Sequence, residues 1–513
     1  MAAGKCVAKW EVFEVSVQGR TGGNPFTDYE VRGVFTGEHE TVQADGFYDG
    51  GGVYKVRFMP SYEGTYHYEI TGDALPDGET VSGGFEVLPA EEGGHGPVRT
   101  AHTYHFSYAD GSPYYSVGTT CYVWELQDDE RIRQTLDSLA ESGFNKIRFC
   151  IFPKHYDYNL GEPRSYPYEG TPMDSSVLTE DNFWQFTEHP EERNSWDFTR
   201  FEPAYFGHIE SCIRELAKRG IQADLILFHP YDRWGFSKMA PEEDDLYIRY
   251  VAARFSAFHN VWWSLANEYD LLDKSEDDWE RFASILCEKD PYGHLRSIHN
   301  CFAFYDHSRP WVTHCSLQRQ DIYKTAEFTN EWRGKYKKPV VIDEMAYEGD
   351  IPHFWGNITA EEMVRRFWEC AMRGGYPGHG ETYEKGDGVL WWSHGGRLRG
   401  ESWKRVRFLY EIMAQTPGHG LTSDASQDYL GVTAVPEDEK ERAKKDYFIY
   451  YYSFMQPCRK VFHIDDETDY HVEVIDTWNM TIEEAGVFRG KFTVTLPGRP
   501  YMAVRLIGVQ SEY

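Results

Sequence analysis

Positive charge is scarce in this chain. Lys and Arg number 52 against 83 Asp and Glu over 513 residues, a net charge of −31. Nucleic acid and anionic membrane surfaces both bind through basic patches, so neither is an expected partner. Long apolar runs are missing too, and no segment has the length of a transmembrane span. The first ten residues, Met-Ala-Ala-Gly-Lys-Cys-Val-Ala-Lys-Trp, lack the apolar centre of a secretory leader, and the expected compartment is the cytoplasm. No Cys-x-x-Cys spacing occurs. The nine cysteines are scattered and odd in number, which argues against a disulfide framework and suits a reducing compartment. Internal repeats and low-complexity tracts are also lacking.

Aromatic residues, by contrast, are abundant: 16 Trp, 36 Tyr and 31 Phe, or 16% of the chain. Large cores account for many of them, and stacking on the C–H faces of sugars is a second use. The length predicts two or three domains. Residues 7–88 read as short strands separated by turns: Trp10–Val17, Tyr29–Thr36, Val53–Phe58, Thr65–Thr71 and Gly83–Val87. That rhythm predicts an immunoglobulin-like β-sandwich over residues 1–92, followed by a linker rich in Gly and Pro.

From about residue 110 strands alternate with helices. Eight strands are predicted: Tyr114–Thr119, Lys146–Phe152, Gln222–Phe228, Val261–Leu265, Arg296–His299, Val312–Ser316, Val340–Asp343 and Val389–Trp392. Helical patterns between them include Asp129–Ser142, Phe206–Arg219 and Ala360–Arg373. This is the length and rhythm of a (β/α)8 TIM barrel, expected over residues 93–420. Residues 421–513 return to β-type runs and predict a small C-terminal β-domain.

Two strand ends carry the chemistry. Val-Trp-Trp-Ser-Leu-Ala-Asn-Glu ends at Glu268, and Pro-Val-Val-Ile-Asp-Glu ends at Glu344. Strands four and seven face each other across a barrel mouth, and the C-terminal strand ends form its active face. Two opposed carboxylates can cleave a glycosidic bond. One protonates the leaving oxygen, and the other attacks the anomeric carbon at a carboxyl separation of about 5–5.5 Å. Barrel metallohydrolases carry a His-x-His on strand one. None occurs here, although His229, His299, His314 and His394 fall near strand ends, so no metal and no cofactor are expected. A non-catalytic sugar-binding barrel is a further alternative.

Asn267-Glu268 and Asp343-Glu344 resemble the strand-four and strand-seven motifs of the retaining glycoside hydrolases of clan A. The whole chain is similar to bacterial members with an N-terminal β-sandwich, an apiosidase-like barrel and a C-terminal β-domain. The resemblance implies that Glu268 is the acid/base and Glu344 the nucleophile. It implies that Arg148 bonds the nucleophile, that Trp391 or Trp392 floors the sugar site, and that His314 stands at the strand-six position. Asn267 would donate to the sugar 2-hydroxyl. Trp262 and Trp263 would supply the apolar surroundings that raise the Glu268 pKa.

The segment His229-Pro230-Tyr231-Asp232-Arg233-Trp234 ends strand three; its polar residues should face the pocket, and His229 is expected to touch substrate. Tyr383, with Glu381, is expected on a Gly-rich rim just before strand eight. The long insertion 154–200 follows strand two and should wall the pocket, with Trp184 and Trp196 as candidates. A walled pocket favours exo action on an oligosaccharide or glycoside; an endo-glycanase is the alternative. Self-association into a homo-oligomer is compatible with these features.

Overall fold

The computed structural model describes residues 5–424, 431–437 and 446–509. Near the N-terminus, a five-stranded sheet in the order Cys6–Ala8, Val81–Leu88, Gly64–Thr71, Arg32–Thr36, Thr41–Asp45 faces the strands Phe13–Gln18, Val53–Phe58 and Phe47–Tyr48. Alternate residues point inward, as a two-layer sandwich requires. Phe13, Phe35, Val56, Tyr66, Ile70 and Phe85 form its core.

The barrel strands are β1 (Gly118–Thr120), β2 (Lys146–Cys150), β3 (Gln222–Phe228), β4 (Val261–Ala266), β5 (Arg296–Ser297), β6 (Cys315–Gln318), β7 (Val340–Glu344) and β8 (Tyr376–His379). They pair in parallel around the ring, and β8 pairs with β1 through Gly378 and Gly118. A lone bridge between His299 and Ser316 joins the β5 and β6 sides. Every residue of β2, β3, β4 and β7 is buried, as parallel strands covered on both faces must be. Helices α1 (Asp129–Ser142), α2 (Pro203–Ala217), α3 (Pro241–Phe255), α4 (Glu276–Lys289), α5 (Thr329–Tyr336), α6 (Ala360–Met372) and α7 (Ser402–Met413) surround the ring. Local chemistry sets their ends. The Asp128 side chain accepts from the Arg131 N–H to start α1, and Gly143, at φ +77°, stops it.

A three-stranded hairpin sheet (98–114) closes the barrel floor, where Phe106 and Tyr114 pack on Trp262, Val341 and Tyr376. Among the described residues, the C-terminal domain is a six-stranded antiparallel sheet that packs on the hairpin pair Arg459–His463 and Lys491–Thr495 and joins the barrel core through Ile449, Tyr451 and Ala503. The sandwich docks through reciprocal ion pairs. Arg57 reaches Glu210 on α2 at 2.8 Å, and Arg254 on α3 reaches Asp49 at 2.7 Å.

Three strand assignments need correction. Strand one starts at Gly118, because Pro113–Tyr114 belongs to the floor hairpin. Strand six is Cys315–Gln318, three residues later than its predicted start. Strand eight is Tyr376–His379, whereas Trp391–His394 is a short helical turn after it. Tyr-Pro-Gly-His reads as a turn because Pro and Gly are strand breakers. Gly378 is needed there, since a Cβ would lie 2.5 Å from the Asp343 carbonyl oxygen.

Candidate active site

Glu268 lies just beyond β4 in the left-handed conformation (φ +53°), a strained state for a residue with a Cβ, costing about 1–2 kcal/mol. Both neighbouring strands hold it there. The Asn267 N–H donates to the Phe228 carbonyl, and the Tyr269 N–H donates to that of His299, each at 2.9 Å. The bend turns the Glu268 side chain into a cavity of about 840 Å³ that Glu344 also lines.

The two carboxylates have different company. Glu268 accepts from the Tyr231 hydroxyl and, at 3.0 Å, from Gln318 Nε2. Burial and then the charge of Glu344 raise its pKa. Glu344 accepts from the Tyr122 hydroxyl and faces Arg148 Nη1 at 3.3 Å and His299 Nε2 at 3.4 Å. Burial would raise it, but hydrogen bonding and charge from His299, then Arg148 and Tyr122, hold it down at about 2. One cavity thus contains a carboxylic acid biased toward its proton and a carboxylate biased against one.

A buried relay stands behind Glu344. Ser316 Oγ donates to Asp343 at 2.6 Å and contacts His299 Nδ1 at 3.0 Å. Asp343 also accepts from Lys146 Nζ at 2.7 Å, and the same ammonium donates to Asp224 at 2.8 Å. Arg148 Nη1 donates to Asn267 Oδ1 at 2.8 Å, tying the residue before Glu268 to the partner of Glu344.

Of the residues expected at the site, Glu268, Glu344 and Trp392 line the cavity, and Arg148 and Asn267 lie directly behind it. Four others lie elsewhere. The Trp391 indole donates to Thr119 at 2.8 Å, away from the cavity lining. His314 precedes β6 and packs at the floor against Phe106 and Trp262; the shifted strand start explains the misplacement. His229 is buried against the Phe152 carbonyl, and burial, then the Lys154 charge, hold its pKa down at about 3. Tyr383 lies after β8 rather than before it and donates to Glu348 at 2.9 Å. Trp262 and Trp263 are not the company of Glu268 either. Trp262 is at the floor, and the Trp263 indole donates to Asp290.

From the insertion, Tyr156 and Trp184 line the cavity, whereas the Trp196 indole donates to the Trp234 carbonyl. Glu381 sits on the far side of β8 with Glu348 and His379. Their ligand atoms lie within 4.8 Å of one another, but backbone N–H groups of residues 399–402 already engage both carboxylates. Tyr231, in the segment expected to face the pocket, does line it. The residues that sequence reasoning missed are Tyr122, Lys154, His299 as a partner of Glu344, and Gln318. Placing strands one and six correctly would have exposed Tyr122 and Gln318, which lie at or just past their C-terminal ends.

The eight-stranded barrel with this cavity at its carboxyl end is that of a glycoside hydrolase. Residues 100–414 match the family described as apiosidase-like, catalytic domain, and the chain belongs to that family. Residues 6–73 and 437–507 match two domains of unknown function, DUF5060 and DUF5605. A crystal structure from Bacteroides vulgatus, provisionally assigned as a glycoside hydrolase, is 36% identical over 98% of this chain and 100% of its own, with a TM-score of 0.89. A family 5 glycoside hydrolase from the same organism shares the fold at 16% identity and a TM-score of 0.59, over 82% of this chain and 96% of its own. No curated protein sequence matches the chain.

Proposed function

We propose that the chain is a retaining, exo-acting glycosidase with Glu344 as nucleophile and Glu268 as acid/base. The opposed protonation biases of these two residues within one cavity carry the reading. Glu344 attacks the anomeric carbon as the glycosidic C–O bond breaks, and the leaving oxygen takes the Glu268 proton. Water then gives its proton to Glu268 and its oxygen to the anomeric carbon, which frees Glu344. Trp392 supports the sugar face, and Asn267 donates to the 2-hydroxyl. The free thiols agree with a cytoplasmic location, and among the described residues no helix is long and apolar enough to cross a membrane.

Exo action is supported by the walls. Tyr156, Trp184, Phe354 and Trp355 all line the cavity, and the Tyr156 ring lies 5.6 Å from that of Trp184 and 6.4 Å from that of Trp355. The volume is within the range of about 300–1,000 Å³ for pockets that take one small ligand. Phe302 and Tyr323, 83% and 84% exposed, offer rings at the rim for the leaving group. The test is product analysis on oligosaccharides of several lengths, with the first-formed anomer read by NMR. A single monosaccharide released from the non-reducing end with retained configuration is expected. Early mid-chain products would favour the endo reading, and an inverted anomer would remove Glu344 as nucleophile.

Tyr231 sets a second expectation. Its hydroxyl favours the charged form of Glu268, so Tyr231→Phe should raise the Glu268 pKa. Activity that needs Glu268 protonated then persists to higher pH, and the basic limb of the kcat/KM profile moves up. The rate should fall about ten- to a hundredfold, as for loss of a hydrogen bond to a charged group. An unmoved basic limb would mean that another group sets it.

A further inference from the structure

Lys154 begins the insertion after β2 and is 2% exposed, yet it lines the cavity. Its Nζ lies 3.4 Å from the ring centroid of Tyr122, 4.3 Å from that of Tyr231, 4.6 Å from that of Trp392 and 5.4 Å from that of Tyr156. All four rings line the same cavity, and two of them carry the hydroxyls bonded to Glu344 and Glu268. Lys154 therefore stands beside the reacting carboxylates. Among the described residues no carboxylate is within ion-pairing distance of its Nζ.

A buried cation normally has a carboxylate partner, because losing hydration without one is costly. Aromatic faces recover part of that cost but leave three N–H donors without an oxygen. Glu268 and Glu344 favour the ammonium at longer range, but neither is a contacting partner. Glu344 has Arg148 as its ion-pair partner, and Glu268 is biased toward its neutral form. The cavity therefore presents an ammonium without a contacting anion where the terminal sugar would sit. Burial holds the Lys154 pKa down at about 8, so the ammonium form still predominates at neutral pH, and an anion beside it would favour that form further.

We infer that Lys154 is the receptor for an anionic substituent on the terminal sugar, so that the substrate is a glycoside of an acidic sugar. Its N–H groups and charge pair with the carboxylate of a uronic acid or with a sugar sulfate, while the aromatic rings hold the ammonium in place and pack on the sugar's C–H faces. A neutral hydroxyl would satisfy a donor but leave the ammonium without an anion in contact. This inference rests on the glycosidase reading for turnover, though not for binding.

The test compares 4-nitrophenyl glycosides of both anomers that differ only in the acidic group: glucuronide and galacturonide, the 6-sulfated glucoside and galactoside, and the neutral parents. The full-length enzyme, Lys154→Met and Lys154→Arg are assayed, and binding of free glucuronate, galacturonate and 6-sulfated sugars is measured by calorimetry. The wild type should prefer one acidic class at least tenfold in kcat/KM. Lys154→Met should lower the acidic-to-neutral ratio about ten- to a hundredfold, and Lys154→Arg should retain most of it. The preferred class separates carboxylate from sulfate. If neutral glycosides react while acidic ones neither react nor bind, the inference fails and the hydrolase reading stands. If nothing is turned over but an acidic sugar binds in a Lys154-dependent way, the hydrolase reading fails and the receptor stands. An unchanged ratio in a folded Lys154→Met variant overturns the inference.

Discussion

Glu344→Gln is expected to lose at least about three orders of magnitude in kcat on any glycoside the enzyme accepts. The amide keeps the shape and can still bond Tyr122 and Arg148, but it cannot form the glycosyl intermediate. Glu268→Ala should behave differently. It removes the proton donor, so substrates with poor leaving groups suffer most. Azide should restore turnover of activated aryl glycosides, giving the glycosyl azide of retained configuration. Steady-state kinetics across leaving groups, with and without azide, checks both. A loss under about tenfold in either variant would show that the chemistry lies elsewhere.

The largest effect on stability is expected at Lys146. Its ammonium is buried between Asp224 and Asp343. Burial would lower the Lys146 pKa, yet the two carboxylates outweigh it and raise it. Lys146→Met leaves two carboxylates buried without their shared cation, and breaking such an arrangement costs about 3–5 kcal/mol. The pH dependence has a definite sign. In the wild type Asp343 is held well below the ordinary carboxylate range: burial would raise it, but Lys146 and Arg148 prevail. Its contribution is therefore full above the ordinary Asp value near pH 4 and is lost as pH falls toward the depressed one. In the variant the unpaired carboxyls gain from protonation, so the stability gap should narrow on acidification. Urea unfolding at several pH values measures this. A gap under about 0.5 kcal/mol at pH 7 would mean that relaxation or water replaces the cation.

Much of this was legible in the residue order because it depends on local pattern. Helix α1 ends where its Asp cap and terminal Gly place it, and β3, β4 and β7 are apolar runs that could hardly be anything else. Glu268 and Glu344 were readable because each ends such a run. Strand eight was not, since burial makes Val389–Trp392 apolar for reasons unrelated to sheet pairing, while Gly378 serves a close approach of two backbones. Lys154 gave no signal beyond its position, because its aromatic neighbours come from four separate stretches of chain. The contact of His299 with Glu344 joins the ends of β5 and β7, which no local pattern in the residue order reveals.

The crossed pairs at the sandwich seam bear on how such enzymes can be recombined. The three blocks follow one another along the chain and look like exchangeable cassettes. Yet Arg57 sends its charge into the barrel, and Arg254 sends one back to Asp49. A barrel transplanted without its sandwich would lose Arg57 from Glu210 and Asp49 from Arg254, leaving these two with each other at 3.3 Å and Glu210 with Arg214. Modularity in sequence is not modularity in free energy here, because the seam shares its ion pairs between the two blocks.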